Sequence, residues 1–570
     1  MTYTAPLSDF RFILDHVVPL APISETARFA EATSDVSEAI LSEAGKLCED
    51  ILAPLNRVGD LKPAVLENGV VRTPEGFPAA YRAIAEGGWV SIAALPEHGG
   101  MGLPMMLTTA VNDMMSSACL SIQLSPLMTQ GQIEALEAHA SEELKALYLP
   151  KLVAGEWTGT MNLTEPQAGS DVGALRTRAE PQPDGTYAIT GQKIYISWGD
   201  HDCAENIVHL VLARLPDAGP GTKGISLFLV PKFLPNADGS LGARNDLRAV
   251  SLEHKLGLHG SPTAVMEYSG ATGWLVGQPH QGMKAMFTMM NNARLGVGTQ
   301  GIGIAEAASQ AAVHYAEARV QGRTSGPTGT ILDHADVRRM LATMRADTFA
   351  ARALALACAQ AIDLAHATGA PEATARAALL TPIAKAFGTE TGIRVAELGV
   401  QVHGGMGFIE ETGVAQFARD VRVTAIYEGT NGIQAMDLVA RKMADSGEAM
   451  FGLIDEIEAH AEALRHRLPD LAEPVWQASE TLRETVETLL ERDLEARFSG
   501  AVPFLMGFAR VLGAHYHLRA IEIAGRDSAR GRIGRFYIER LLPEHKGLLA
   551  QAGGAAEAVL DLRPEDLAVA

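Results

Sequence analysis

Apolar residues recur at three- and four-residue spacing over residues 37–52, through Ala39-Ile40, Ala44, Leu47-Cys48 and Ile51-Leu52. That spacing lines them up on one stripe of an α-helix. Residues 108–119 and 132–149 keep the period, so residues 1–158 read as a helical domain. The period then changes. Residues 185–197 alternate, 206–213 and 224–231 are dense β-forming runs closed by turn residues, and 265–268 is a shorter run. An antiparallel β domain is expected over 159–280. Helical periodicity returns at Gln281, with long segments at 283–315, 335–368 and 373–402 that suggest an up-and-down bundle over 281–445. After a polar joint at 444–448, further helices at 453–468, 474–498 and 501–525 read as a separate helical extension, 446–570, with a loose tail from Gly553. Pro474 is expected in the first turn of its helix, where no backbone N–H is needed.

Composition narrows this picture. Hydrophobic content of 47% and charged content of 20% describe a globular chain, and 570 residues exceed one core. A net charge of −21 argues against nucleic acid or an anionic membrane as the main partner. No apolar run reads as long enough to span a bilayer, so no integral membrane insertion is expected. The opening residues lack a basic and then apolar leader, which points to the cytoplasm. Cys48, Cys119, Cys203 and Cys358 are far apart, so neither a metal site nor a disulfide framework is expected.

Several stretches could carry chemistry. Gly296-Val297-Gly298-Thr299-Gln300-Gly301 has the letters of a dinucleotide fingerprint but sits inside a continuous helical pattern, so its glycines read as helix-packing positions. Residues 95–104 form a glycine-rich loop without the ending of a nucleotide-triphosphate loop. His201-Asp202-Cys203 reads as a polar loop, and His515-Tyr516-His517 as helix positions. Two stretches hold more. In Met161-Asn162-Leu163-Thr164-Glu165-Pro166-Gln167-Ala168-Gly169-Ser170-Asp171, the first four residues could lie as extended backbone along a planar ring. Gly169 and Ser170 leave N–H groups and a hydroxyl for a phosphate. In Tyr427-Glu428-Gly429-Thr430, a carboxylate falls at a break between ordered segments, with Thr430 or Asn431 able to cap the next helix. A carboxylate held in a turn is a candidate general base, though the tetrapeptide alone also fits a surface loop.

These stretches occur in one series: Thr164-Glu165-Pro166-x-Ala168-Gly169-Ser170-Asp171, Gly191-x-Lys193-x-Tyr195-Ile196-Ser197, Arg294, Tyr315-x-x-x-Arg319, Gln401-x-His403-Gly404-Gly405-x-Gly407 and Ile426-Tyr427-Glu428-Gly429-Thr430. The series resembles the acyl-CoA dehydrogenase family over roughly residues 80–442. The segment past 446 and the opening Tyr3-x-Ala5-Pro6 resemble a longer bacterial branch, which includes enzymes of 3-(methylthio)propanoyl-CoA.

The resemblance implies an α+β multidomain fold: a helical N-terminal domain, a middle antiparallel β domain, a C-terminal helical bundle and the added extension. It implies FAD. Met161, Leu163 and Thr164 would face the flavin, Gly169 and Ser170 its pyrophosphate, and Tyr195, Ile196 and Ser197 its ring. Arg319, Gln401, Gly404 and Gly405 would hold the adenosine diphosphate half of a neighbouring subunit's FAD, which implies a homodimer or tetramer, and Thr430 completes the cofactor set. Two departures from the family pattern are Ser197-Trp198, where Thr-Asn is commoner, and Gly322-Arg323 after Arg319. Glu428 would be the base and Arg294 its support; Ala293 leaves no rival base beside that arginine. Ser170, Tyr427 and Gly429 would meet the acyl-CoA substrate. The implied reaction yields the trans-2-enoyl-CoA, with electron-transfer flavoprotein as acceptor. The alternatives are a general short- to medium-chain dehydrogenase, an acyl-CoA oxidase, and a DNA-associated alkylation-response flavoprotein.

Overall fold

The computed structural model describes residues 3–568. Residues 1–2 and 569–570, the outer ends of the opening stretch and of the expected tail, lie outside the described residues. The chain packs as two compact units. One holds residues 31–296 with the residues just before Pro6; the other holds residues 6–30 and the chain from Val297 onward. The division falls inside the Gly282–Ala318 helix.

The first unit carries the sheet. Its strands are β1 (Val65–Glu67), β2 (Val70–Arg72), β3 (Trp157–Asn162), β4 (Arg178–Pro181), β5 (Tyr187–Ser197), β6 (Asn206–Arg214), β7 (Ile225–Pro231), β8 (Phe233–Pro235), β9 (Leu241–Arg244), β10 (Leu247–Leu252) and β11 (Thr263–Val276). The main sheet runs β10-β11-β5-β4-β6-β3, with β7 bridging β11 and β6. It is mostly antiparallel, as expected, but β3 runs parallel to β6, from Trp157 opposite Asn206 to Asn162 opposite Val211. The reason is connectivity: β3 and β6 are not joined by a hairpin, and a long excursion through β4 and β5 lets the chain re-enter in the same direction. β7 is buried at every position and β6 at all but its last, which fits their mostly apolar composition. β11 instead alternates, one face in and one out, over most of its length.

The Met105–His139 helix lies in the same unit and is buried almost all round. The first expected piece, 108–119, lies within it, while the second, 132–149, divides between its end and a separate helix, Glu142–Val153; the long helix itself breaks at Cys119, with φ −159° and ψ 91°.

The second unit is helical. Its core includes Ala335–Thr368, Pro371–His403, the Val297 end of Gly282–Ala318, and Ala501–Ala524. Glycines let two of these helices, Gly282–Ala318 and Pro371–His403, touch backbone to backbone. A Cβ on Gly301 would lie 2.3 Å from the Gly388 carbonyl, and one on Gly298 2.7 Å from that of Ala384. The fingerprint-like glycines are therefore a packing seam.

The Ala501–Ala524 helix of the segment past 446 is buried within the second unit. Three expectations need correction. Pro474 lies inside the Pro469–Leu490 helix, and Pro469 takes the first turn, because the helix starts earlier than periodicity suggested. The tail contains short helices at Glu557–Leu560 and Pro564–Leu567. The Ala335–Thr368 helix does pass for a membrane span by length and composition, yet 78% of its apolar window is buried inside the protein. Charged residues at its start hid this in the sequence.

Candidate functional site

The implied cofactor residues of the first unit gather where β3 leaves the sheet. β3 is an edge strand, so one side of its backbone has no strand partner. Met161, Leu163 and Thr164 are half-buried there. The segment is fixed from beneath by a buried ion pair. Lys193 Nζ donates to Glu165 Oε1 at 2.8 Å and to the Leu163 carbonyl at 3.0 Å. Glu165 also accepts from the N–H groups of Arg176 and Thr177, from Thr177 Oγ1 and from Gln167 Nε2. Burial alone would push Glu165 up, but the Lys193 charge and these donors hold it at about 2. Burial pulls Lys193 down to about 8 against the attraction of Glu165.

A second line of polar groups runs behind β3. Tyr268 Oη donates to Asn162 Oδ1, Asn162 Nδ2 donates to Thr160 Oγ1, and Thr160 meets His209 Nδ1 at 2.7 Å. Burial holds His209 neutral, down at about 3.

Tyr195 projects 60% exposed from a left-handed backbone, φ 61°. Ser197 ends β5, half-buried. Trp198 also has positive φ, 55°, but is fully buried; its Nε1 donates to the Ser121 carbonyl at 3.2 Å, just past the break at Cys119. The unusual tryptophan thus anchors the turn that carries Ser197. Gly169 and Ser170 lie on an exposed bend. Arg214 fastens the chain that follows, donating to the carbonyls of Gly173, Leu175, Gly219 and Gly221. Arg294 is buried, stacked over Phe287, and its Nη1 donates to Asn291 Oδ1 at 3.4 Å.

In the second unit, Arg319 and the 401–405 loop come to neighbouring helix ends. Tyr315, one turn before Arg319, stacks on His403 with ring centroids 4.2 Å apart. His403 Nδ1 meets the Gly399 carbonyl, and Gly404 breaks the helix with φ 59°. Gly404 and Gly405 face open space on their Cβ side.

Glu428 sits in a left-handed turn, φ 56°, followed by Gly429 at φ 83°. A carboxylate residue in this region is uncommon and costs local free energy, so the surroundings must hold it. Tyr427 Oη donates to Gln300 Oε1. Burial raises the Tyr427 phenol, and the Glu428 charge raises it further. Thr430 caps the Asn431–Ala440 helix by accepting from the Ile433 N–H at 3.2 Å. Asn431 is an anchor instead of the cap: its Oδ1 accepts from Lys385 Nζ at 2.9 Å, and its Nδ2 donates to Glu390 Oε1 at 2.7 Å. Gln434 Nε2 reaches the carbonyls of Glu428 and Gly429, both at 3.3 Å. Sequence reasoning gave no role to Lys385 or Gln434. The signal for Gln434 was its place on the inner face of the helix that follows the turn.

Among the described residues no group of three or more His, Cys, Asp or Glu could hold a metal ion.

Comparison with known proteins agrees over most of residues 37–563. Models of the acyl-CoA dehydrogenase N-terminal, middle and C-terminal domains match residues 37–156, 160–271 and 280–443. An acetyl-CoA dehydrogenase C-terminal-like domain matches 453–563. The 3-methylmercaptopropionyl-CoA dehydrogenase of Ruegeria pomeroyi is 47% identical over 520 residues, covering 89% of this chain and 88% of that protein. The crystal structure of Caenorhabditis elegans ACDH-11 in complex with C11-CoA superposes with a TM-score of 0.81 at 22% identity, covering 95% and 92% of the two chains. An FAD-complexed acyl-CoA dehydrogenase from Bacillus anthracis gives 0.76 at 20% identity, covering 93% and 90%.

Proposed function

The chain belongs to the acyl-CoA dehydrogenase family, FAD enzymes that oxidise the α,β carbon–carbon bond of an acyl-CoA thioester, and from that premise we propose that it acts on 3-(methylthio)propanoyl-CoA with Glu428 as base. The carrying observation is the extent of the likeness to the Ruegeria enzyme: it covers more of the chain than residues 1–445 make up, so it reaches into the extension. The four segments 1–158, 159–280, 281–445 and 446–570 are retained as the functional division.

The first unit fits a flavin at β3. β3 is an edge strand whose outer backbone side offers hydrogen bonds to a ring edge, with Met161, Leu163 and Thr164 at its end, and Tyr195 offers an exposed aromatic face beside Ile196 and Ser197. Gly169 and Ser170 would take the pyrophosphate. In the second unit, Arg319, Gln401, Gly404 and Gly405 would hold the adenosine diphosphate half of a neighbouring subunit's FAD, and Thr430 is the remaining residue of the cofactor set. FAD, when bound, supplies the acceptor for the β-hydride.

The chain's own part is proton chemistry. Glu428 takes the α-proton of the thioester into its carboxylate, and the electron pair stays on the substrate as an enolate. That enolate is stabilised by N–H donors in place before the reaction, among them the Glu428 N–H in its turn. In the second unit Tyr427 and Gly429 would meet the substrate beside Glu428; in the first unit Ser170 would meet the acyl-CoA and Arg294 would supply a fixed positive charge. Electrons pass to electron-transfer flavoprotein. The protein acts in the cytoplasm as a homodimer, the extension standing in for the second pair of subunits of a tetramer.

Two measurements test this. Across a panel of 3-(methylthio)propanoyl-, butanoyl-, hexanoyl- and octanoyl-CoA, kcat/KM should be highest for the methylthio compound; a straight chain in first place overturns the substrate. Glu428→Gln should stay yellow and bind ligand yet lose roughly 10²–10⁴-fold in turnover. Near-normal turnover removes the mechanism.

A further inference from the structure

We propose that Gln434 is a positioning residue for the Glu428 turn, holding the base and its N–H in register for α-proton removal; this rests on Glu428 being the base. The geometry is specific. One carboxamide nitrogen donates to two successive carbonyls, those of Glu428 and Gly429. Fixing those carbonyls fixes the peptide planes on the C-terminal side of both residues, which sets the left-handed backbone that aims the Glu428 side chain.

Two observations separate this from ordinary packing. Gln434 is 1% exposed, and its Oε1 has no hydrogen-bond partner among the described residues. A buried unpaired acceptor costs stability, and a methionine of similar shape would avoid that cost. What this amide contributes therefore lies on its donor side, at the two carbonyls of the turn. Gly429 is also cut to fit it. A Cβ there would lie 2.8 Å from Gln434 Nε2, on top of the strain of φ 83°. The neighbouring anchors act on either side: Tyr427 through Gln300, and Asn431 through Lys385, Thr389 and Glu390.

The test uses the FAD holoenzyme and a 3-thiaacyl-CoA. Sulfur at position 3 leaves no β C–H, so the compound can lose an α-proton but cannot be oxidised. Exchange of its α-hydrogens with deuterium oxide reports the base alone. Gln434→Met removes the donor at similar volume. Exchange and kcat should both fall about tenfold or more, with KM for the acyl-CoA and FAD content close to wild type. Gln434→Glu places a second carboxylate by the turn, which raises the base's pKa. The acidic limb of its kcat–pH profile should move to higher pH, a change that lost packing does not produce. Should Gln434→Met fail to fold, Gln434→Asn, whose shorter amide draws the donor back from the two carbonyls, gives the same exchange readout. Wild-type exchange in Gln434→Met, or an unmoved profile in Gln434→Glu, overturns the proposal. Glu428→Gln is the control: if it still exchanges at the wild-type rate, the base assignment itself falls, whereas loss there with no effect at Gln434 defeats only the positioning role.

Discussion

At the scale of single residues, Lys193 and Glu165 decide how firmly the β3 end is held. Both are buried, and breaking such a pair leaves a charge without its partner, at a cost of about 3–5 kcal/mol. Glu165→Gln should therefore lower stability at pH 7 by about that much, read by urea denaturation. The pH dependence has a definite sign. The Glu165 pKa is depressed from 4.5 to about 2, so its contribution is present above pH 4.5 and is lost as pH falls toward 2. The gap between wild type and Glu165→Gln should accordingly narrow across that window. A gap constant from pH 7 down to pH 3 would mean that Glu165 is not the acid-sensitive group. Lys193 has the same sign at higher pH: its pKa is depressed from 10.5 to about 8, so this residue too favours the fold more as pH rises through that interval.

At the scale of elements, the second unit depends on a seam without side chains. A Cβ on Gly301 would sit 2.3 Å from the Gly388 carbonyl, and the obstacle is backbone that cannot rotate away. Gly301→Ala should force the Gly282–Ala318 and Pro371–His403 helices apart and cost about 1–3 kcal/mol or more. At Gly405, where nothing lies near, the same change should be tolerated structurally; thermal denaturation of the two variants makes the comparison. The seam was legible in the sequence because small residues at helical spacing have few other uses, and the long helices were legible from their period. The parallel pairing of β3 with β6 was not, since apolar density says a strand is buried but not which neighbour it takes. Nor was the placement of residues 6–30 in the second unit, where Asp9 pairs with Arg530 at 2.7 Å and Arg345 at 3.2 Å. These contacts join residues more than three hundred positions apart, and no local pattern encodes them. Glu428 was legible as a residue in a turn, but the groups that hold it come from three helices.

At the scale of the whole molecule, the extension is bound into the second unit by a charge cluster as well as by apolar packing. Arg510, 4% exposed, donates to Asp347 on the Ala335–Thr368 helix and meets Glu544 at 2.8 Å. Arg394 meets Glu544 at 2.9 Å and stands 3.7 Å from Asp347. Two arginines thus face two carboxylates, and each carboxylate touches both cations. The Arg510 ring contacts, over Phe387 and Tyr537, add apolar cover that keeps water from screening the pair. Removing Arg510 alone, as in Arg510→Met, leaves Asp347 buried with only the more distant Arg394, so the loss should be about 3 kcal/mol or more. Removing both partners in Arg510→Met with Asp347→Leu takes away the uncompensated charge together with its mate. The double variant should then be more stable than Arg510→Met, although it carries one more substitution. Such a reversal is the mark of a pair held for placement instead of net stabilisation, and urea denaturation of the two single variants and the double one measures it. Additive losses would instead mean that the cluster contributes to stability outright. In that case the apolar faces of the 501–524 helix matter less to the extension's attachment than their burial suggests.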